Sequence, residues 1–214
     1  MKGQKVELRA TPERRRQVKG AIFLESAIVL YNIVEGVISV IAGLIAGSVV
    51  LVGFGLDSAI EVSAGVVVIW HLARSRVEEQ PEWERRVAVF VGLTLLAVAL
   101  YVFGRAVYNL ATESKPSESY LGIGITLASV IIMPIVSRLQ RILASRINSI
   151  ALAADSRETL VCTYLSAATL LGLGANAVLG WWWADPAAAV ALVFLIGREG
   201  LEIVRNKELL CVDE

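Results

Sequence analysis

Histidine is almost absent from this chain: His71 is the only one among 214 residues. Catalytic zinc usually relies on histidine ligands, so the composition argues against a metalloenzyme site. The two cysteines, Cys162 and Cys211, have no CxxC spacing, so a disulfide framework has no support. The formal net charge is zero, and the charge balance therefore does not indicate a nucleic-acid partner.

Hydrophobic residues, in contrast, make up 56% of the chain, which is more than a soluble domain carries. A transmembrane helix needs about 20 apolar residues. Six stretches of about that length predict an all-α membrane protein with six transmembrane helices. They cover residues 20–43, 48–72, 86–109, 119–138, 148–175 and 183–204. The short connection GLIAG between the first two predicts a tight antiparallel hairpin.

Lysine and arginine decide the orientation, because they are enriched in cytoplasmic segments. They concentrate before the first predicted span, in the second and fourth connections and after the sixth span, whereas the opposite side carries only Arg105 and Lys115. Both termini are therefore predicted to be cytoplasmic, in an integral multi-pass protein of the cytoplasmic membrane. The predicted organisation is a basic arm over 1–19, a transmembrane domain over 20–206 and a short tail over 207–214.

Two of the predicted spans carry acidic side chains one helical turn from a second possible metal ligand. Asp57 and Glu61 lie near the middle of the second span, and Glu158 and Cys162 near the middle of the fifth. Residues at i and i+4 share one helix face, so each pair can point into one cavity. A carboxylate at mid-membrane costs about 2.5–3.5 kcal/mol, and such a group usually lines a pathway or meets a partner.

Three carboxylates and one thiolate at matched depth supply four ligands, the number used by a tetrahedral divalent-metal site. These ligands must lose protons to bind a metal, so binding releases protons. The chemistry indicates exchange of a divalent cation for protons across the lipid bilayer. A structural interpretation stays open, in which a single acid hydrogen-bonds a neighbouring helix or pairs with a base. Arg157, next to Glu158, is a candidate base for such a pair, with Asp155 or with an acid elsewhere.

The order and spacing of several motifs resemble the cation diffusion facilitators, a family of six-helix divalent-metal exporters. Asn32 followed by AGLIAGSVVLVGFGLDSAIE resembles the family's first signature, in which Asp57 and Glu61 match two ligands of the second helix. WADPAAA resembles the start of the family's sixth helix, and REGLEIVRNKELL resembles the end of that helix.

In the predicted fifth helix, AADSRETLVC resembles the family's A-D-xx-H-xxx-D motif. Asp155 matches the first aspartate, Glu158 takes the histidine position and Cys162 takes the position of the last aspartate. The resemblance therefore implies a metal site of Asp57, Glu61, Glu158 and Cys162. It differs from the usual site of one histidine and three aspartates by having no histidine and one thiolate.

The resemblance also implies proton-coupled efflux of a divalent transition metal by alternating access, usually by a homodimer. The metal is the transported ion and not a cofactor. Zinc is expected first because it accepts both thiolate and carboxylate ligands, with cadmium, manganese and iron as alternatives. The chain stops at CVDE, so we expect that the family's usual C-terminal cytoplasmic domain is absent and that the helices alone hold any dimer.

Other polar residues of the predicted spans are candidates for supporting or structural roles. Asn32 and Glu35 either support the metal site from a cavity wall or form hydrogen bonds between helices. Asp155 is a further candidate for the ion pathway. Glu25, near the predicted cytoplasmic boundary, is expected to be solvated or to attract cations rather than to be a ligand. Asp185 is expected to be the N-cap of the sixth helix.

Two other classes of function stay open. One is a metal-dependent intramembrane enzyme, against which the scarcity of histidine argues. The other is a non-transporting scaffold or a channel subunit. A channel would pass current without proton coupling, and a scaffold would tolerate loss of all four predicted ligands.

Overall fold

The chain forms six α-helices in this computed structural model, which describes residues 12–74, 81–113, 115–147 and 149–205. Within those residues there is no strand, so the predicted all-α class is confirmed. The helices are α1 (Pro12–Ala46), α2 (Val49–Ala73), α3 (Pro81–Ala111), α4 (Tyr120–Ile147), α5 (Ile150–Leu179) and α6 (Ala184–Arg205).

The helices are longer than the apolar stretches that predict them. α1 begins at Pro12 rather than near residue 20, so residues 12–19 of the predicted arm are its first turns. α4 continues to Ile147 rather than ending near residue 138. Hydropathy detects only the part of a helix that lies in hydrocarbon, whereas arginine, glutamine and leucine continue a helix readily beyond it. The remainder of the arm and the predicted tail lie outside the described residues.

The surface and interior of the bundle reverse the pattern of a water-soluble protein. Large apolar side chains point outward, and Phe23, Leu171 and Val178 are each at least 74% exposed. The interior holds many polar groups, including the fully buried Glu25 and Glu35. Among the described residues, four helical stretches are long and apolar enough to cross a membrane: Glu13–Ala46, Val49–Ala73, Tyr120–Ile147 and Ala151–Leu179. The chain is therefore an integral multi-pass membrane protein, while the cytoplasmic position of its termini stays a prediction.

α2 lies at the centre of the bundle, where it contacts α1, α3, α5 and α6. α4 packs mainly against α5, and α3 packs mainly against α6. Leu51 and Phe54 of α2 are fully buried in an apolar core that includes Leu165 of α5 and Leu192 of α6. Because α2 is surrounded on several sides, its polar residues can be kept away from lipid.

Gly47 and Ser48 form the whole connection between α1 and α2, so the predicted hairpin is confirmed. Gly47 has a φ of 70°, in the left-handed region that favours glycine. The Ser48 N–H donates to the Gly43 carbonyl oxygen at 2.9 Å, and the Ser48 hydroxyl oxygen accepts from the Leu51 N–H at 3.2 Å. The turn thus ends one helix and caps the next.

Glycine also lets α1 and α2 approach closely near mid-helix. A Cβ placed on Gly55 would lie 2.9 Å from the Gly36 carbonyl oxygen and from the Val40 backbone nitrogen. Small residues permit such backbone contact between membrane helices. The contact brings Glu35 beside Ser58, whose hydroxyl donates to Glu35 Oε2 at 3.1 Å.

Asp185 caps α2 rather than its own helix, so the predicted N-cap role in α6 is wrong. α6 begins at Ala184, which puts Asp185 inside its first turn. The buried carboxylate reaches the N-terminus of α2, where Oδ1 accepts from the Val49 N–H at 3.0 Å and Oδ2 accepts from the Ser48 hydroxyl. An anion there satisfies unpaired amide groups and complements the positive end of the helix dipole.

Asp185→Ala should lower the thermal stability of the detergent-solubilised protein more than Asp185→Asn does. Alanine removes the acceptor of the Val49 N–H, whereas asparagine keeps one oxygen, and a buried donor left unpaired costs about 1–3 kcal/mol. The Tm measured by circular dichroism tests this order, with the exposed-acid variant Glu118→Gln as the control. Equal Tm values for all three variants would contradict the capping role.

Gly55→Ala should lower the Tm, whereas Gly104→Ala should not. The added methyl at position 55 meets backbone atoms of α1, while an added Cβ at Gly104 has no heavy atom within 4 Å. Alanine favours a helix over glycine by about 1 kcal/mol, so Gly104→Ala isolates that propensity effect. If Gly55→Ala were as stable as Gly104→Ala, the close approach of the two helices would not need glycine.

Candidate metal centre

The two predicted ligand pairs meet where α2 packs against α5. Asp57, Glu61 and Cys162 are buried, with exposed fractions of 5%, 8% and 1%, and Glu158 is half-buried. A carboxylate oxygen of Glu61 and the Cys162 sulfur lie within 4.8 Å of each other. Each of the two helices thus contributes one predicted ligand to the same group.

Glu35 of α1 completes a group of three possible metal ligands. One ligand atom from each of Glu35, Glu61 and Cys162 lies within 4.8 Å of the other two. Zinc binds such atoms at about 2.0–2.3 Å, which puts tetrahedral ligands roughly 3.5 Å apart. Modest side-chain rotations would therefore bring all three atoms onto one ion. Sequence reasoning left Glu35 between a supporting role and a structural one, and the geometry makes it a possible ligand.

Hydroxyl groups orient the Glu35 side chain from two other helices. Its Oε2 accepts from Ser58 of α2, and its Oε1 accepts from Ser129 of α4. The Ser129 hydroxyl is in turn 2.7 Å from the hydroxyl of Tyr31. These three hydroxyl residues have no distinguishing sequence pattern, so only the fold brings them to the carboxylate. A carboxylate held this way is preorganised as a ligand, because its rotamer is already selected.

Asp57 and Glu158 lie close to this group without belonging to it. Both are near enough to Glu61 for their charges to interact with its carboxylate. Asp57 also interacts electrostatically with Cys162. Their role as metal ligands stays a prediction, and these interactions indicate that the four predicted residues occupy one region of the bundle.

A small pocket lies beside the group, with about 10 Å³ available to the centre of a water molecule. That is room for about one water molecule or one desolvated ion. Asn32 Oδ1 and Glu61 Oε2 are buried there without a hydrogen-bond partner. Unpaired oxygen acceptors in a buried space fit a cation. The pocket is lined by Glu25, Ile28, Val29, Asn32, Glu61, Gly65, Asp155, Glu158 and Thr159.

Glu25 is fully buried, so the expectation that it is solvated is wrong. Its Oε1 accepts from Gln140 Nε2 at 3.0 Å, and the same nitrogen donates to Asp155 Oδ2 at 2.5 Å. Sequence reasoning missed Gln140 because hydropathy ends the fourth span near residue 138, which places this residue in a loop. The longer α4 instead turns its amide into the bundle.

The site is rich in acids and poor in bases. None of the described residues that line the pocket is basic, and Arg157 is exposed. Ionised carboxylates in a low-dielectric interior are unfavourable unless a cation, a proton or hydrogen-bond donors compensate them. Hydroxyl and amide donors compensate part of this charge, so the remainder is available to a bound cation or to protons.

Comparison with known proteins shows that the chain is similar to proteins named as transporters and to magnetosome proteins. The chain is 26% identical over 169 residues to an uncharacterised transporter of Synechocystis, which covers 76% of this chain and 54% of the relative. It is 27% identical over 118 residues to the cation-efflux pump FieF of Shewanella oneidensis, covering 52% and 40%. It is 27% identical over 175 residues to the magnetosome protein MamB of Magnetospirillum gryphiswaldense, covering 77% and 57%.

The chain thus spans about half the length of the curated relatives it matches. Residues 26–208 match the cation efflux transmembrane domain, which includes every residue of the candidate centre. This match agrees with the all-α bundle and with the resemblance found in the sequence motifs. The chain therefore belongs to the cation efflux family, whose members are transporters and not enzymes.

Proposed function

We propose that the protein exports a divalent transition-metal cation, with zinc first, in exchange for protons. The observation that carries this proposal is the convergence of Glu35, Glu61 and Cys162 from three helices in a buried, base-poor region. Membership of the cation efflux family supports transport over the enzyme, scaffold and channel alternatives.

The ligand types support zinc as the cargo. Zinc accepts thiolate and carboxylate ligands together and is usually four-coordinate. Glu35, Glu61 and Cys162 supply three ligands, and Asp57 and Glu158, whose charges act on Glu61, are the candidates for the fourth. The thiolate favours zinc or cadmium, whereas the carboxylates also suit manganese or iron, which remain alternative cargoes.

Proton exchange follows from the same ligands. The Cys162 thiol must lose its proton to bind the metal, and any protonated carboxyl ligand must do so too. When the metal leaves, the buried acids regain protons, because uncompensated anions are costly in a low-dielectric interior. A site that alternates between metal and protons couples the two gradients if each side of the membrane reaches it in turn. The homodimer expected from the resemblance stays a prediction.

Glu61→Gln and Cys162→Ala should each lower zinc transport at least about tenfold, because each removes a ligand. The measurement uses purified protein in lipid vesicles, with a zinc-sensitive dye inside and a pH gradient across the membrane. Cys211→Ser is the matched control, since it removes a thiol outside the described residues. Wild-type transport rates in both ligand variants, with unchanged circular dichroism, would remove the proposed centre.

Proton movement gives a second readout of the same vesicles. A pH-sensitive dye should report protons moving opposite to zinc, and Glu61→Gln should abolish both fluxes together. Zinc-dependent current without countermovement of protons would support the channel alternative instead.

Cys162→Asp should shift the ion preference from cadmium towards manganese. The exchange replaces a soft thiolate by a hard carboxylate while keeping a possible ligand at the same position. Competition of cadmium and manganese against zinc transport, compared between wild type and variant, measures the shift. Cadmium competing equally well against both proteins would mean that the thiol does not contact the transported ion.

A further inference from the structure

A second acidic cluster lies in the same bundle, apart from the thiol. It consists of Glu25 of α1 and Asp155 of α5, which are bridged by Gln140 of α4. Glu25 and Gln140 have no exposed surface, and Asp155 is 8% exposed. The three residues come from helices that are distant in sequence, so the cluster is a product of the tertiary fold.

The bridging amide indicates that both acids act as hydrogen-bond acceptors. A glutamine Nε2 carries two hydrogens, and here one points to each carboxylate. This leaves Glu25 Oε2 and Gln140 Oε1 buried without a hydrogen-bond partner. Both unpaired atoms are oxygens with lone pairs, so the group they lack is a cation or a donor hydrogen.

Glu25 and Asp155 also line the pocket described above, together with Glu158. The thiol of Cys162 is not among the described lining residues, so the pocket offers oxygen ligands only. Oxygen ligands of this kind suit hard divalent cations such as manganese or magnesium.

The spacing along α5 connects the two clusters. Asp155, Glu158 and Cys162 follow one another at intervals of three and four residues, which places them on one face of the helix. The rise per residue puts the first and last about 10 Å apart along the axis. Glu158 lies between them, beside both the pocket and Glu61.

We propose that Glu25 and Asp155 form a second divalent-cation subsite, all oxygen in its ligands, with Gln140 as the residue that positions both carboxylates. Glu158 then passes the ion one helical turn towards the Cys162 centre. Ion binding by Glu25 and Asp155 is inferred from the cluster itself, whereas transfer of the ion by Glu158 rests on the proposed transport function. Glu25 lies towards the N-terminus of α1 and Gln140 towards the C-terminus of α4, the end predicted to be cytoplasmic, so the subsite would be the entry side for export.

Two probes separate the subsite from the thiol centre. In full-length Cys211→Ser protein in detergent, Cys162 is the only thiol. Cadmium bound to it is followed by the ultraviolet absorption of the cadmium–thiolate bond, and manganese bound to oxygen ligands is followed by electron paramagnetic resonance. The exposed-acid variant Glu118→Gln, which should change neither signal, is the control.

Glu25→Gln should weaken manganese binding at least about tenfold and leave the cadmium absorption titration unchanged. Cys162→Ala should abolish the cadmium absorption and leave manganese affinity within about twofold, since it removes no oxygen ligand. Gln140→Leu should weaken manganese binding while all four carboxylates of the pocket remain, which tests positioning without removing a ligand. If Glu25→Gln does not fold, Gln140→Leu and Asp155→Asn make the same test.

Unchanged manganese affinity in Glu25→Gln and Gln140→Leu would overturn the subsite. Equal loss of both signals in Glu25→Gln and in Cys162→Ala would also overturn it, because it would mean a single site. Absence of any cadmium–thiolate absorption in the parent protein would count against the Cys162 centre alone. Manganese binding that depends on Glu25 would still support the subsite in that case.

Discussion

The structure depends on how the bundle keeps acidic side chains away from water. Glu25, Glu35, Asp57, Glu61 and Asp155 are all buried among helices whose outer surfaces are apolar. In such surroundings an uncompensated carboxylate is costly, so every acid needs a donor, a proton or a cation. The bundle meets part of this need with neutral donors: serines 58 and 129 for Glu35, and the Gln140 amide for Glu25 and Asp155. The carboxylate charge that these donors do not compensate is available to a cation or to protons.

Helix packing decides which acids meet. The glycine contact between α1 and α2 brings Glu35 to the face of α2 that carries Glu61. Asp185 fixes the start of α2 by accepting from its first amides, which ties α6 to the same helix. α2 is thereby held at both its N-terminus and its middle. Its ligand-bearing face can then be directed towards α5 by the apolar core around Phe54 and Leu165.

Much of the fold and of the candidate metal centre could be predicted from the sequence, because long apolar stretches and i, i+4 acid pairs are local patterns. The six helices, the α1–α2 hairpin and the Glu61–Cys162 neighbourhood follow from them. The rest depends on contacts between distant segments. Gln140 lies in a polar, arginine-rich stretch that hydropathy treats as a loop, and Asp185 sits in a sequence typical of an N-cap. Neither residue's local sequence indicates the helix it contacts across the bundle.

The two acidic clusters differ in a way that bears on ion movement. The centre with Cys162 contains a soft ligand, while the cluster with Glu25 contains only oxygen. A metal that enters hydrated exchanges water most easily for oxygen ligands, and a thiolate then adds selectivity for a softer ion. Asp155, Glu158 and Cys162 on one face of α5 offer this order of ligands within two helical turns. Under the proposed transport function, one helix would therefore carry both the less selective and the more selective step, while its neighbours move to change which end is open.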